Sequence, residues 1–114
     1  MLFGTLFFIA LLVVFGVLAA QSGNEPYKDD RSPVMYFFSS TCRFCQQQAP
    51  ILRELSAEGF RIKPMDVGKN PNYWEDYSVT GTPTFLAANG DRLDGFTQKE
   101  ALRAFLAQHG AKIV

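Results

Sequence analysis

The sequence predicts an α/β domain of order β-α-β-α-β-β-α, with a four-stranded mixed sheet flanked by helices and an apolar helix before it. Three observations predict this. The continuous apolar run Val34-Met35-Tyr36-Phe37-Phe38 has the pattern of a strand buried on both faces. A segment of helical period and then a second apolar stretch follow it, which gives two parallel strands joined by a crossover. Farther on, Asn89-Gly90 lies between two short strand-like segments and marks a hairpin, which adds antiparallel strands.

The elements follow in order. Ser39-Ser40-Thr41 offers N-cap hydroxyls for a helix from about Cys42 to Glu58, stopped by Gly59. At about 100° per residue, Ala49, Ile51, Leu52 and Leu55 share an arc with Cys45. Cys42 lies at the border of that arc and Arg43 points nearly opposite. Pro50 predicts a kink, and Gln46-Gln47-Gln48 reads as a solvated face. The second strand is expected over Phe60–Val67, with Pro64 marking an irregularity. Asn70-Pro71 looks like N-cap and N1 of a short helix carrying Tyr73, Trp74 and Tyr77; for Tyr73 and Trp74, helix packing is favoured over a substrate surface. Thr84–Ala88 and Arg92–Phe96 form the hairpin. Thr97-Gln98-Lys99-Glu100 reads as a capping box for a last helix with Leu102, Phe105 and Leu106 inward, ending at Gly110. Lys63, Asp66 and His109 read as ordinary surface or helix-end residues.

The 114 residues suit one domain. Basic and acidic side chains number 11 each, a balance that argues against a charge-driven nucleic-acid binder. All of these charges lie after residue 20. Leu2–Ala20 is apolar except for Thr5 and, as a helix, measures about 28 Å, close to the thickness of a bilayer core. Two readings compete for residues 1–20: a transmembrane anchor in the inner membrane, or a signal peptide cut after Val17-Leu18-Ala19. The run exceeds the ~7–15 residues of a signal core, which favours the anchor. Residues 21–32, polar with Gly23 and Pro26, read as a linker, and 33–114 as the folded domain.

Cys42-Arg43-Phe44-Cys45 stands at the strand-to-helix junction. Cysteines three apart on a helix turn approach closely enough to bond. The helix N-terminus favours the thiolate of Cys42, with Arg43 as a nearby cation, so Cys42 is expected to ionise more readily than an ordinary thiol. Cys42 is then the attacking sulfur and the more buried Cys45 the resolving one. A structural disulfide closing so small a loop would stabilise little. Two cysteines and one histidine cannot complete a four-ligand zinc site, so no metal is expected; no cofactor is expected either, because the dithiol itself can carry the electrons. Redox chemistry of the pair, in an oxidising compartment outside the cytoplasm, is the reading that remains.

The chain also resembles the thioredoxin superfamily. Phe37-Phe38, Cys42-Arg43-Phe44-Cys45, Ala49-Pro50-Ile51-Leu52, Asn70-Pro71, Val79-Thr80-Gly81-Thr82-Pro83-Thr84-Phe85 and Asn89-Gly90 carry the match. The resemblance implies a thioredoxin fold, a cis peptide before Pro83, and a role for Thr82 and Pro83 in holding the substrate chain. Within the superfamily the domain looks like the catalytic domains of periplasmic Dsb-type (DsbC/DsbG-like) thiol–disulfide oxidoreductases. That likeness rests on the Gly-Thr-Pro loop, the Asn-Gly hairpin, Gly95-Phe96, and Phe44 before the second cysteine. Arg43 and Phe44 would tune the site. Thioredoxin itself has a buried acid six residues before its first cysteine and a tryptophan just before that cysteine; this chain has Tyr36 and Thr41. The resemblance implies a reductase or isomerase acting on protein thiols and disulfides together with a redox partner protein. A binding or assembly module with a static disulfide is the competing expectation.

Overall fold

The computed structural model describes residues 25–114. The apolar stretch Leu2–Ala20, with its anchor and signal-peptide readings, lies outside them. Among the described residues no helix is long and apolar enough to cross a membrane.

Seven elements occur in the expected order: β1 Val34–Phe38, α1 Arg43–Ala57, β2 Lys63–Asp66, α2 Tyr73–Asp76, β3 Thr84–Ala87, β4 Arg92–Asp94 and α3 Lys99–Gln108. They form one four-stranded sheet, ordered β2-β1-β3-β4. β1 pairs in parallel with β2 (Phe37 opposite Met65) and antiparallel with β3 (Phe37 opposite Thr84). β3 and β4 form the antiparallel hairpin.

Alternation along β1 divides the interior in two. Val34 and Tyr36 join Leu52, Leu55, Phe85, Leu102 and Leu106 in the larger core, beneath α1 and α3. Phe37 faces the other way, with Met65, Val67 and Val79. On that side Tyr73 and Tyr77 meet the Phe37 ring at centroid distances of 6.3 and 5.2 Å. These contacts hold the single turn of α2, which is too short to be stable alone. Trp74 departs from the packing expectation and points outward, 38% exposed.

Both glycine stops are Schellman closures. After α1, Gly59 N–H donates to Ser56 O and Phe60 N–H to Leu55 O, with φ of +99° at Gly59. After α3, Gly110 and Ala111 repeat the pattern onto Ala107 and Leu106. At the hairpin, Ala87 N–H donates to Asp91 O across a three-residue loop whose Gly90 has φ of +97°.

Several elements differ from the sequence expectation. β2 is shorter than 60–67. Phe60 and Ile62 instead make isolated bridges to Lys112 and Lys28, each a single bridge rather than part of a continuous strand pair. Pro64 is tolerated because β2 is an edge strand. β3 and β4 stop short of Ala88 and Phe96, the latter where Gly95 turns with φ of +90°. α2 starts at Tyr73 with Asn72 as N-cap; the Asn70 side-chain amide is taken up by Asp66 O.

The expected capping box of α3 does not form. Gln98 is the N-cap and makes no side-chain cap bond, while the Thr97 hydroxyl donates to Gly95 O. The Thr97 backbone is bound from α1 instead. Gln48 Oε1 accepts from Thr97 N at 2.8 Å, and Gln48 Nε2 donates to Thr97 O at 3.0 Å. Gln48 is therefore fully buried, whereas its neighbours Gln46 and Gln47 are exposed as expected.

The stretch read as a linker also packs, from Glu25 onward. Tyr27 is buried in the larger core, and its carbonyl accepts from Ile62 N–H. The buried Ser32 hydroxyl donates to Arg61 O at 2.9 Å and accepts from Val34 N–H at 3.2 Å. Arg53 holds the Glu25 carboxylate in a two-pronged pair. Composition shows the polar residues of this stretch; it does not show that one tyrosine has a core position waiting for it.

Two predictions follow from this packing. Gln48→Leu leaves a part-buried N–H and carbonyl of Thr97 without partners, at a cost of about 2–4 kcal/mol. Denaturant unfolding of the oxidised protein measures it; a loss below about 0.5 kcal/mol would mean that water replaces the side chain. The hydrogen bond from Arg53 holds the Glu25 carboxyl below its usual range. Its contribution to stability is therefore present above the ordinary glutamate range and is lost as pH falls through the lowered folded value. The pair is partly exposed, so this amounts to less than about 1 kcal/mol. Unfolding curves of Glu25→Gln and the parent should converge in acid and separate at neutral pH.

Candidate active site

β1 ends at Phe38 and delivers the chain to the N-terminus of α1 through Ser39-Ser40-Thr41. Cys42 itself is the N-cap, with φ −78° and ψ 113°. Its Sγ accepts a hydrogen bond from Cys45 N–H at 3.1 Å, and its carbonyl accepts the first helical bond, from Gln46 N–H. The expected hydroxyl cap is absent: Ser39 and Thr41 hydroxyls face each other at 3.4 Å. Sulfur takes the place that an oxygen fills in most helices.

Cys42 and Cys45 form a disulfide with a Cα separation of 5.2 Å, an ordinary spacing for such a bond. The sulfurs are unequal in access. Cys45 is 6% exposed on the inward face of α1, whereas Cys42 is half-buried at its tip. A thiolate arriving from solvent meets Cys42 first. Once the disulfide is opened, the Cys45 N–H and the helix dipole stabilise charge on the Cys42 sulfur. Arg43 is exposed, and Phe44, which lies between the two cysteines in the sequence, presents a ring that is 55% exposed.

The Thr82–Pro83 peptide is cis. Pro83 is buried and Thr82 half-buried. β3 runs antiparallel to β1 with Thr84 opposite Phe37, so residues 82–83 lie at the sheet end from which Ser39–Cys42 departs. Pro83 O accepts from Gly95 N–H at 2.8 Å, and the Thr84 hydroxyl donates to Gly81 O at 2.8 Å. These bonds hold the Gly81–Thr84 turn to the start of β3 and the end of β4.

An open cleft of about 260 Å³ runs along α1 beside the pair. Cys45, Gln46, Ala49 and Arg53 line one side; Tyr36, Phe38, Ser39, Ser40 and Glu25 line the rest. Burial pushes the Tyr36 phenol well above its usual range, so it stays neutral and supplies no base. Sequence reasoning did not connect Glu25 and Arg53 with this cleft. The helical spacing Cys45, Ala49, Arg53 signals that Arg53 lies along one face with the cysteine; nothing local signals Glu25. Gln48 was also missed as a buried residue, although its spacing with Cys45, Leu52 and Leu55 places it on the buried stripe. Asp66 and Lys63 lie off the cleft, and the Asp66 carboxylate caps the Gly68 and Lys69 amides. His109 closes α3, with Nε2 3.4 Å from Asp91 and its ring against Phe105. Among the described residues no cluster of His, Cys, Asp or Glu could hold a metal ion.

The family model for thioredoxin matches residues 17–108. Thioredoxin of Acidithiobacillus ferridurans is 30% identical over 90 residues, which cover 73% of this chain and 83% of that protein. The X-ray structure of Fasciola hepatica thioredoxin is 30% identical, with a TM-score of 0.57 over 71% of this chain and 83% of that one. The N21Q mutant thioredoxin from Halobacterium salinarum shares the fold, with a TM-score of 0.60 at 19% identity, over 82% of this chain and 98% of that one. Set beside a disulfide at a helix tip with one open and one hidden sulfur, these matches show that the chain belongs to the thioredoxin family and is a thiol–disulfide oxidoreductase whose reactive pair is Cys42 and Cys45.

Proposed function

We propose that the protein works outside the cytoplasm, held in the inner membrane by Leu2–Ala20, as a reductase or isomerase of protein disulfides in the manner of a Dsb-type catalytic domain. The observation that carries the redox role is the Cys42 sulfur sitting as the N-cap of α1 under the Cys45 N–H. Three features support the choice of protein substrates and of the Dsb-like subtype. Phe44 presents an exposed apolar ring for a substrate chain. The Thr82-Pro83 turn lies at the same sheet end, available for strand-like contact. Gly95-Phe96 follows the Asn-Gly hairpin, as in that subtype. The apolar run of residues 2–20 supports the anchored location; cleavage, giving a free periplasmic domain, is the second choice.

In the reductase direction the Cys42 thiolate attacks one sulfur of the substrate disulfide. A mixed disulfide forms and the other substrate sulfur leaves as a thiolate, which takes up a proton. Cys45 then loses its proton and attacks Cys42 Sγ, re-forming the enzyme disulfide and releasing the second substrate thiol. Two electrons pass from the pair to the substrate, and a redox partner protein restores the dithiol. No prosthetic group enters these steps.

Three measurements test the proposal. Cys42→Ser should reduce an insulin-type disulfide no faster than the uncatalysed background, while Cys45→Ser should accumulate a mixed disulfide visible on non-reducing gels. Turnover retained in Cys42→Ser would falsify the assignment of the attacking sulfur. The pair should have a reduction potential above ~−300 mV, the range below which structural disulfides lie; a lower value points to a static bond. In the reduced protein, thiolate absorbance should show Cys42 ionising below the ordinary thiol range, and a value at or above that range contradicts activation by the helix tip.

A further inference from the structure

The chain enters the domain beside its reactive centre. Arg53 Nη2 and Nε donate to the two carboxylate oxygens of Glu25 at 2.8 and 2.9 Å. Two residues later Tyr27 is buried in the larger core, and the Tyr27–Asp29 backbone bonds to Ile62. The entry point is thus tied down at three successive places. Glu25 and Arg53 line the same cleft into which Cys45 opens. Eight helical positions separate Cys45 from Arg53, about 12 Å along α1. In the other direction, Ala20 is five residues before Glu25, which is at most about 17 Å of extended chain.

We infer that the protein acts on protein disulfides held close to a membrane surface, because the packed entry segment, with Glu25 paired to Arg53 and Tyr27 in the core, ties the Cys42–Cys45 pair within about 40 Å of the last apolar residue once the span of the paired side chains is included. The inference rests on the anchor reading proposed above. A short tether gives a high effective concentration inside its reach and almost none beyond it. A mobile stretch over 21–32, as composition suggests, would let the pair range much farther. The packing of residues 25–32 removes that freedom and leaves four residues between the apolar run and the domain. The exchange is the one already described: the dithiol becomes a disulfide as the partner's disulfide becomes two thiols.

The test uses the full chain, reduced, in phosphatidylcholine liposomes. The probe is a single-span peptide bearing one disulfide loop, either at the bilayer surface or atop a rigid helical spacer of about 60 Å. Single-turnover reduction should be at least about tenfold faster for the surface disulfide. Inserting 30 Gly/Ser residues between Gly23 and Asn24 should bring the two rates to within about threefold, because the flexible chain extends the reach. Equal rates with the parent chain overturn the inference and leave the anchor reading standing. So does a preference that survives the insertion, since the tether would not be its cause. Release of the protein by alkaline carbonate overturns the anchor reading, and the inference with it.

Discussion

The contact on which the rest depends is the one between the Cys42 sulfur and the first turn of α1. A helix tip presents backbone N–H groups that have no partner within the helix. Here one of them, from Cys45, points at a sulfur. That bond places Cys42 at the end of the helix and, three residues on, turns Cys45 inward. The difference in access between the two sulfurs is a consequence of helical geometry acting on a spacing of three. The capping group is also the reacting group, so the charge created in catalysis appears where the helix already favours it.

The turn needs a fixed base, and β1 provides it. Its side chains are locked into cores on both faces, and parallel and antiparallel partners flank it. α1 is held at two further points by polar groups from distant sequence. Gln48 binds both backbone groups of Thr97, joining the helix to the segment before α3. Arg53 binds Glu25, joining the helix to the incoming chain. The first is buried and answers two backbone groups whose hydrogen-bonding needs would otherwise be unmet. The second is partly open and positions the chain more than it stabilises it. On the wall of the cleft, Tyr36 stacks with Phe38 and Phe85 and holds its proton. It therefore closes the cavity as an aromatic, not as an acid or base.

Several features were legible because their causes are local. The apolar run of β1, the glycines that end α1 and α3, and the Asn-Gly hairpin each follow from the conformations of a few adjacent residues. The spacing of Cys42 and Cys45 at a helix start belongs to the same class. The misreadings share a different cause. Thr97 and Glu100 have the letters of a capping box, but a glutamine 49 residues earlier in the chain already holds the Thr97 amide. Three consecutive glutamines look alike in composition, yet the helix turns one of them into the core. Residues 25–32 look like a linker until Tyr27 finds its cavity. The strand expected over 60–67 shortens because its first residues meet single bridge partners from distant sequence, Lys112 and Lys28, rather than a continuous strand.

By itself the sequence determined the element order, the identity of the reactive pair and which of its sulfurs faces outward, since all three rest on periodicity and short-range backbone preference. Only the tertiary structure decided which polar side chains are buried, which atom caps α1, and that the chain arrives at the cleft beside Cys45. Those outcomes depend on partners tens of residues apart, and a polar side chain shows its preference for burial only when its partner is brought to it.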